Sequence, residues 1–483
     1  MLKISRLTVE NMETGCVTDN PQPRVSYCLE SDRQNVTLKK AVISIGDWKK
    51  ETDCQIAVPY EGSRLQPFTK YAVRVEAEDD AGERAWASTE FETGRMDTIW
   101  SGRWITDGEY RFKEAKISPK TMTFRTRFSC EKEIASARLY VTALGIYELL
   151  LNGEKVGQDY FAPGFTSYRN QLQYQTYDIT ELLEKDNEIT VTVGNGWYKG
   201  ELGFDARPNI YGDRTALLAM VRIEYEDGET ICIGTDTDWH VETGEILFSE
   251  IYHGEIQDYT KERRQVGKAV LFEHTDDIGQ IVAQESEPVR VTKRFDVKER
   301  IVTPKGELVF DFGQNMAGLV EIRLPKLMGD RLVIRYAETL DKDGNFYTEN
   351  LRTARCTDTF VYGEKQVGML VMPHFTFHGF RYICVEGAGT ETEASDFTAC
   401  AMHTDMQPTG TFTSDNTLVN QLQSNIQWGQ RGNFLDVPTD CPQRDERLGW
   451  TGDAQVFCGT ASYNFHTALF FRKWLRDMAA ETN

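Results

Sequence analysis

Acidic and basic side chains crowd into one short segment of the 483-residue chain. Residues 436–453 read DVPTDCPQRDERLGWTGD and hold five carboxyl groups and two guanidinium groups. Hydrolysis of a glycosidic bond needs one protonated carboxyl group that donates to the leaving oxygen, and one carboxylate that activates water or attacks the anomeric carbon. The segment can supply the first of these groups, so it is the first candidate for a catalytic site.

A structural alternative fits the same spacing. Aspartates, glutamates and arginines form solvated ion-pair networks on many protein surfaces, and Thr451 or Asp453 can cap the helix that follows. Trp450 is equally ambiguous, because an indole ring packs in cores and also forms the wall of sugar sites. The spacing alone leaves both a catalytic and a purely structural segment open.

Prolines and glycines predict that most of this segment is a loop between two helical stretches. Pro438, Pro442, Gly449 and Gly452 exclude one continuous helix. An N-cap sequence at 414–416 precedes the first helical stretch. The apolar positions at helical spacing are Leu418, Leu422 and Ile426 before the loop, and Leu469, Phe470, Trp474, Leu475 and Met478 after it. Loops that join helices at one rim of a helical barrel commonly carry binding and catalytic groups.

Short runs of alternating polar and apolar residues dominate the chain through about residue 400, which is typical of antiparallel β structure. Residues 65–94 predict two strands around an Asp-Ala-Gly turn and resemble a fibronectin type III module. Asn152-Gly153 predicts a β-hairpin. We predict four domains, which are β-sandwiches at 1–95, 96–295 and 296–404 and an α domain over 405–483.

The composition of the chain limits the classes of partner and cofactor that we expect. A formal charge of −21 repels phosphate backbones and anionic lipid surfaces, so we expect neither nucleic acid nor membrane as a partner. The 10 cysteines and 7 histidines show no zinc-ligand spacing, and no phosphate-binding glycine loop occurs, so the sequence predicts no metal and no cofactor. The first residues show no signal peptide, and no run of about 18 apolar residues occurs, which predicts a cytoplasmic protein.

The run Asp440–Asp453 resembles the signature of the bacterial α-L-rhamnosidases of glycoside hydrolase family 78, and the resemblance extends over nearly the whole chain. The further matching segments are Asn152-Gly153, Pro163-Gly164, Gly194–Tyr198, Asp311–Gly318, Tyr336–Glu338 and His378–Tyr382. The resemblance implies all-β sandwiches, first fibronectin III-like and then jelly-roll-like, followed by the first helices of an (α/α)6 catalytic barrel.

The same resemblance implies roles for individual residues. Glu446 would be the general acid, with the apolar face of Trp450 beside it. Asp440, Arg444, Trp450 and Asp453 would hold the rhamnose ring. The family's general base lies much further along the barrel, so we expect it beyond Asn483 and expect little or no hydrolysis from these 483 residues alone.

Three functions stay open at this point. The first is inverting hydrolysis of terminal α-L-rhamnosides, with a rhamnose-containing glycoside or oligosaccharide as substrate. The second is a noncatalytic carbohydrate-binding fragment, and the third is another (α/α)6-barrel glycosidase. The 96–295 block is either a carbohydrate-binding sandwich that uses Tyr168, Trp197 and Tyr198 or a structural brace, and a homodimer is one alternative for the oligomeric state.

Overall fold

The structure is a computed structural model, and it describes residues 1–108, 121–389 and 391–482. Residues 109–120 of the predicted 96–295 block therefore lie outside the described residues. The chain divides into two compact units. The first comprises Met1–Trp100, Gln173–Thr176 and Ile281–Glu285, and the second comprises Ser101–Leu172, Tyr177–Gln280 and Ser286–Asn483.

The first unit packs two sheets around one apolar core. Its strands are β1 Leu2–Val9, β2 Cys16–Thr18, β3 Arg24–Ser31, β4 Leu38–Ile45, β5 Trp48–Thr52, β6 Val58–Pro59, β7 Lys70–Asp79 and β8 Arg84–Thr93. The sheet orders are β1-β3-β6 and β2-β8-β7-β4-β5. On β7 the side chains of Val73, Val75 and Ala77 are buried and their neighbours are more exposed, which confirms the predicted alternation.

The second unit begins with a β-sandwich. The strands that follow along the chain are β9 Ile105–Thr106, β10 Met122–Ser129, β11 Ile134–Leu144, β12 Ile146–Leu151, β13 Glu154–Lys155, β14 Gln171–Asp178, β15 Asp186–Gly194, β16 Ala216–Tyr225, β17 Thr230–Gly234, β18 His240–Thr243, β19 Ile246–Glu250, β20 Gly254–Asp258, β21 Arg264–Lys268, β22 Val270–Leu271 and β23 Gln280–Ala283. One sheet runs β13-β12-β15-β10-β18-β21, and the other contains β22-β9-β16-β11 with β17 beside β16. Asn152 and Gly153 both have positive φ and join β12 to β13, as predicted for a hairpin.

A large sheet follows in the same unit and supports the candidate site. Its later strands are β24 Val289–Asp296, β25 Glu299–Val302, β26 Leu308–Arg323, β27 Arg331–Ala337, β28 Thr339–Leu340, β29 Phe346–Tyr347, β30 Thr357–Val361, β31 Leu370–Val371, β32 His378–Glu386 and β33 Phe397–Thr404. The order is β19-β20-β30-β27-β32-β26-β33-β24, and β25 and β31 also pair with β26. Strands β28 and β29 form a separate pair.

The described part of the chain contains four α-helices, and three of them lie after residue 416. They are α1 Gly196–Lys199, α2 Thr417–Asn433, α3 Thr451–Asn464 and α4 Ala468–Glu481. Asn416 caps α2 because its side-chain Oδ1 accepts hydrogen bonds from the amides of Leu418 and Val419. No helix in the described residues combines the length and the apolar composition that a bilayer span requires.

The predicted helices are present, but part of their apolar surface is not covered. On α4 the side chains of Leu469, Phe470 and Trp474 are buried as expected. Leu418 and Leu422 on α2, in contrast, are 78% and 57% exposed. The spacing therefore predicts the helices correctly, although burial of the α2 stripe is not seen in this structure.

Candidate active site

The acidic segment is a closed loop between α2 and α3. A short hairpin of β34 Phe434–Leu435 and β35 Val437–Pro438 opens it, and an antiparallel bridge joins Thr439 to Gly449. At the hairpin tip, Asp436 has a φ of 68° and its amide donates to Oγ1 of Thr404 on β33. Both ends of the stretch 440–448 are thus fixed, which confirms the predicted loop.

Three of the predicted site residues meet at the centre of this loop. Nε of Arg444 donates to Oε2 of Glu446 at 2.8 Å, and Nη2 of Arg444 donates to Oδ2 of Asp440 at 2.9 Å. Glu446 is 5% exposed. The guanidinium group therefore bridges two carboxylates and fixes the side chain of Glu446.

A second arginine reaches Glu446 from the β region. Nη1 of Arg352 lies 3.4 Å from Oε2 of Glu446 and 3.6 Å from Oδ1 of Asp445. Next to it, Thr353 donates from Oγ1 to Oδ2 of Asp445 at 2.5 Å and from its amide at 3.2 Å. Asp445 thus anchors the loop to the β region.

Arg447 and Tyr252 fix the backbone of the loop around Glu446. The Arg447 guanidinium is 1% exposed and donates to four backbone carbonyls, namely those of Ile251, Phe377, Gln443 and Arg444. The hydroxyl of Tyr252 donates to the carbonyl of Glu446 at 2.7 Å. Because buried carbonyls need donors, these contacts hold the loop in one conformation.

A glycine allows the loop to lie against strand β32. A Cβ atom on Gly379 would fall 2.7 Å from Cβ of Gln443 and 3.0 Å from its amide nitrogen and Cα. Contacts below 3.0 Å to Cβ essentially do not occur, so a larger residue would displace the loop. This requirement explains the glycine of the His378–Tyr382 segment.

Trp450 and Asp453 lie at the periphery of the cluster. Trp450 is 37% exposed, and its ring faces that of Phe204 with centroids 6.2 Å apart. Asp453 is exposed in the first turn of α3. The polar partners of the Glu446 carboxylate are guanidinium groups and the thiol of Cys441. The expectation that the apolar face of Trp450 lies beside it stays a prediction.

Polar side chains continue the cluster toward β27. Glu338, at the end of that strand, accepts hydrogen bonds from the amide groups of Asn315 at 2.9 Å and Asn350 at 3.3 Å. Burial raises the pKa of Glu338 above its usual value, although the bond from Asn315 and the charge of Arg444 oppose this.

One set of atoms in the described residues has metal-ligand character. Oxygens of Asp440 and Glu446 and the sulfur of Cys441 lie within 4.8 Å of one another. Burial raises the pKa of the Cys441 thiol to about 11, so the thiolate is scarce at neutral pH. Arg444 already bridges the two carboxylates as a cation would.

The geometry suits proton donation from Glu446. In the described residues, every hydrogen bond and ion pair of its carboxyl group involves Oε2. Oε1 is therefore the oxygen that can carry a proton toward a leaving group, while Oε2 accepts from the arginines. The sequence did not point to Arg352, Thr353, Tyr252 or Phe204, since they lie 92 to 246 residues from their partners in the loop.

Comparisons with known proteins identify the family of the chain. Family models match four successive stretches: the Rha78A-like N-terminal immunoglobulin domain at 4–97, the α-L-rhamnosidase N-terminal domain at 132–293, the bacterial α-L-rhamnosidase concanavalin-like domain at 301–403, and the bacterial α-L-rhamnosidase 6 hairpin glycosidase domain at 407–483. A curated α-L-rhamnosidase of Streptomyces avermitilis is 44% identical over 358 residues. The chain belongs to the α-L-rhamnosidase family, glycoside hydrolase family 78.

Solved structures of α-L-rhamnosidases share the fold of this chain. The α-L-rhamnosidase of Aspergillus terreus has a TM-score of 0.90 at 34% identity and is matched over 99% of this chain and 57% of its own. That of Streptomyces avermitilis, complexed with L-rhamnose, has a TM-score of 0.91 at 28% identity, over 98% of this chain and 64% of its own. The curated Streptomyces relative is matched over 72% of this chain and 34% of its own length. This family 78 chain thus spans only part of its relatives.

The family models refine one expectation. The first stretch of this family 78 chain matches an immunoglobulin domain, where the sequence resembles a fibronectin type III module. Both are sandwiches of two antiparallel sheets with the same alternation of buried and exposed residues. The strand pattern of residues 65–94 therefore could not separate them.

Proposed function

We propose that the protein carrying this chain is an inverting, exo-acting α-L-rhamnosidase that removes terminal α-linked L-rhamnose, with Glu446 as general acid. The observation that carries this proposal is the buried Glu446 carboxyl group, held through Oε2 by Arg444 at 2.8 Å and faced by Arg352 at 3.4 Å. A fixed Oε2 leaves Oε1 to protonate the departing glycosidic oxygen. The relatives named α-L-rhamnosidase, one of them with L-rhamnose bound, support this substrate class.

The rhamnose ring would be held by four residues around the acid. Asp440 and Arg444 lie in the ion cluster and can bond vicinal hydroxyl groups of the sugar. Trp450, half-exposed, offers an apolar face to the C–H face of the ring. Asp453, exposed in the first turn of α3, can accept from a further hydroxyl group.

Neither carboxyl group next to Glu446 in the loop, that of Asp440 or that of Asp445, is placed to act as the general base. Inverting glycosidases separate their two carboxyl groups by about 6.5–9.5 Å to admit a water molecule. Asp440 and Glu446 place oxygens within 4.8 Å, with Arg444 bonded to both, so that gap is missing between them. Asp445 is engaged by Thr353 and Arg352. We therefore propose that these 483 residues alone hydrolyse rhamnosides poorly.

Exposed apolar side chains support a larger helical domain of the (α/α)6 barrel type. Leu418 and Leu422 on α2, Val456 and Tyr463 on α3, and Leu475 on α4 are all more than half exposed. Soluble proteins seldom leave so many large apolar groups on three adjacent helices. Further helices that pack on these surfaces would cover them.

Product stereochemistry and sugar preference test this proposal together. The full-length parent protein is incubated with nitrophenyl α-L-rhamnoside and with nitrophenyl glycosides of other sugars, and the released sugar is followed by proton NMR. We expect β-L-rhamnose as the first product, and slow or absent release from the other glycosides. First release of the α-anomer would contradict inversion, and faster release of another sugar would contradict the assigned substrate.

A further inference from the structure

A cleft on the large sheet adjoins the proposed acid. Its volume is about 410 Å³, which lies within the range of about 300–1,000 Å³ for small-molecule sites. Its lining includes Ile256 of β20, Arg335 of β27 and Thr359 of β30, together with the segment 351–355. Arg352 belongs to the lining, and its Nη1 also lies 3.4 Å from Oε2 of Glu446. One side chain thus connects the cleft to the site of bond cleavage.

The ionisable side chains that line the cleft are all basic. They are Arg335, Arg352, Arg355 and His253. This is unexpected in a chain with a formal charge of −21, where acids outnumber bases by 75 to 54. Burial lowers the pKa of His253, whose Nε2 lies 2.8 Å from Oε2 of Glu201. The charge of the cleft therefore comes from the three arginines.

Arg355 differs from the other two arginines. Nε of Arg335 is paired with Glu386 at 2.8 Å, and Arg352 is paired with Asp445 and Glu446. Arg355 has no carboxylate within ion-pair distance in the described part of the chain, and its guanidinium lies 5.7 Å from the centre of the Phe248 ring. Its five N–H donors are thus available to a ligand in the cleft.

We propose that this cleft is a subsite for a hexuronic acid linked directly to the rhamnose, with Arg355 as the group that binds its carboxylate. The proposal rests on the proposed function, because it assigns the residue on the leaving-group side of Glu446. A planar guanidinium binds a carboxylate through two parallel hydrogen bonds, which neutral hexoses cannot accept. Phe248 offers an apolar face to the sugar ring, and Thr348 and Thr359 offer hydroxyl groups.

Binding of hydrolysis-resistant ligands tests the subsite. Calorimetry on the full-length parent protein compares two sulfur-linked disaccharides, one with rhamnose on a hexuronic acid and one with rhamnose on the matching neutral hexose. We expect the acidic ligand to bind at least about tenfold more tightly at low salt, because its carboxylate accepts charge-assisted hydrogen bonds that the neutral hexose cannot accept. Equal affinities would overturn the proposal.

Variants of Arg355 test whether this residue causes the preference for the acidic ligand. Arg355→Gln should abolish the preference for the acidic ligand and leave the affinity for the neutral ligand unchanged, while Arg355→Lys retains part of the preference. Arg127→Gln, on an exposed arginine of β10, is the matched control and should change neither affinity. An unchanged preference in Arg355→Gln would overturn the assignment of Arg355.

Competition by free L-rhamnose separates this proposal from the proposed function. If rhamnose displaces both disaccharides and no acidic preference exists, the subsite is wrong and the rhamnoside site stands. If the acidic ligand binds through Arg355 and rhamnose displaces neither disaccharide, Arg355 binds the carboxylate, but the proposed function is wrong, and with it the assignment of the cleft to the leaving-group side.

Discussion

The guanidinium of Arg447 donates from Nη1 to the carbonyl of Phe377 across 2.7 Å, so a buried arginine of the loop between α2 and α3 is fixed to the chain that leads into strand β32. It also donates to the carbonyls of Ile251, Gln443 and Arg444. The conformation of the loop that carries Glu446 is therefore set by the β region as much as by its own sequence.

Replacement of Arg447 by lysine should destabilise the protein. Lysine keeps the charge but cannot serve four carbonyl groups in fixed directions. We expect a loss of about 3 kcal/mol in the free energy of unfolding of the second unit, measured by urea denaturation followed by tryptophan fluorescence. Arg127→Lys is the control, because Arg127 is exposed and pairs with Glu188 at the surface. Equal stability of the Arg447 variant and wild type would contradict the anchoring role.

Gly379→Ala should impair the site without any change in its charged groups. The added methyl group would lie 2.7 Å from Cβ of Gln443, so the loop must move. We expect at least about a tenfold loss of kcat on nitrophenyl α-L-rhamnoside, since displacement of a catalytic group by about 1 Å is sufficient for that. Gly267→Ala, where nothing lies within 4 Å of the new Cβ, should retain wild-type activity. Full activity of Gly379→Ala would show that the loop position is not critical.

The buried pair of His378 and Asp358 should make the free energy of unfolding depend on pH. Nε2 of His378 lies 3.1 Å from Oδ2 of Asp358, and both side chains are fully buried. Burial alone would lower the pKa of His378, but the Asp358 carboxylate raises it from 6.5 to about 9. Because the folded-state pKa is the higher one, the stabilisation is complete below pH 6.5 and is lost as pH rises through about 9.

The measurement for the His378–Asp358 pair is the difference in the free energy of unfolding between wild type and His378→Asn, taken from pH 6 to pH 10. It should shrink by about 3 kcal/mol from pH 6 to pH 10, since each unit of pKa shift corresponds to about 1.4 kcal/mol. A difference that does not vary with pH would show that His378 is neutral throughout.

Trp450→Ala should weaken rhamnose binding by about threefold to tenfold, because the sugar loses one apolar face. Calorimetric titration of the full-length protein with L-rhamnose measures this. Trp86→Ala removes a more exposed tryptophan of β8 and should bind rhamnose like wild type. If both variants bind rhamnose equally well, Trp450 is not part of the sugar site.

The sequence predicts local features of this protein well. Alternation along β7, the Asn152-Gly153 hairpin and the loop between α2 and α3 follow from short-range patterns that act within a few residues. The grouping of Asp440, Arg444 and Glu446 also follows from a spacing of a few residues in one loop.

Contacts between distant segments could not be predicted. Arg352 lies 94 residues from Glu446, and Tyr252 lies 194 residues from it. Nothing in the local pattern marks Arg352, whose backbone has a φ of 58°, as the residue that approaches the acid. The four predicted domain boundaries, the homodimer, the cytoplasmic location and the roles of Asp440, Arg444, Glu446, Trp450 and Asp453 stay predictions.

The most direct test of Glu446 as the general acid is the dependence of kcat/KM on the leaving group in the Glu446→Gln variant of the full-length protein. General acid catalysis matters most when the leaving oxygen is a poor leaving group. We therefore expect kcat/KM to fall by more than about a thousandfold on alkyl α-L-rhamnosides. On dinitrophenyl α-L-rhamnoside we expect a fall of less than about tenfold, because dinitrophenolate leaves as an anion and needs no proton. Asp445→Asn, which alters the neighbouring carboxyl group, should reduce both rates by the same factor. Equal losses on the two substrates in Glu446→Gln would contradict the role of Glu446 as the acid.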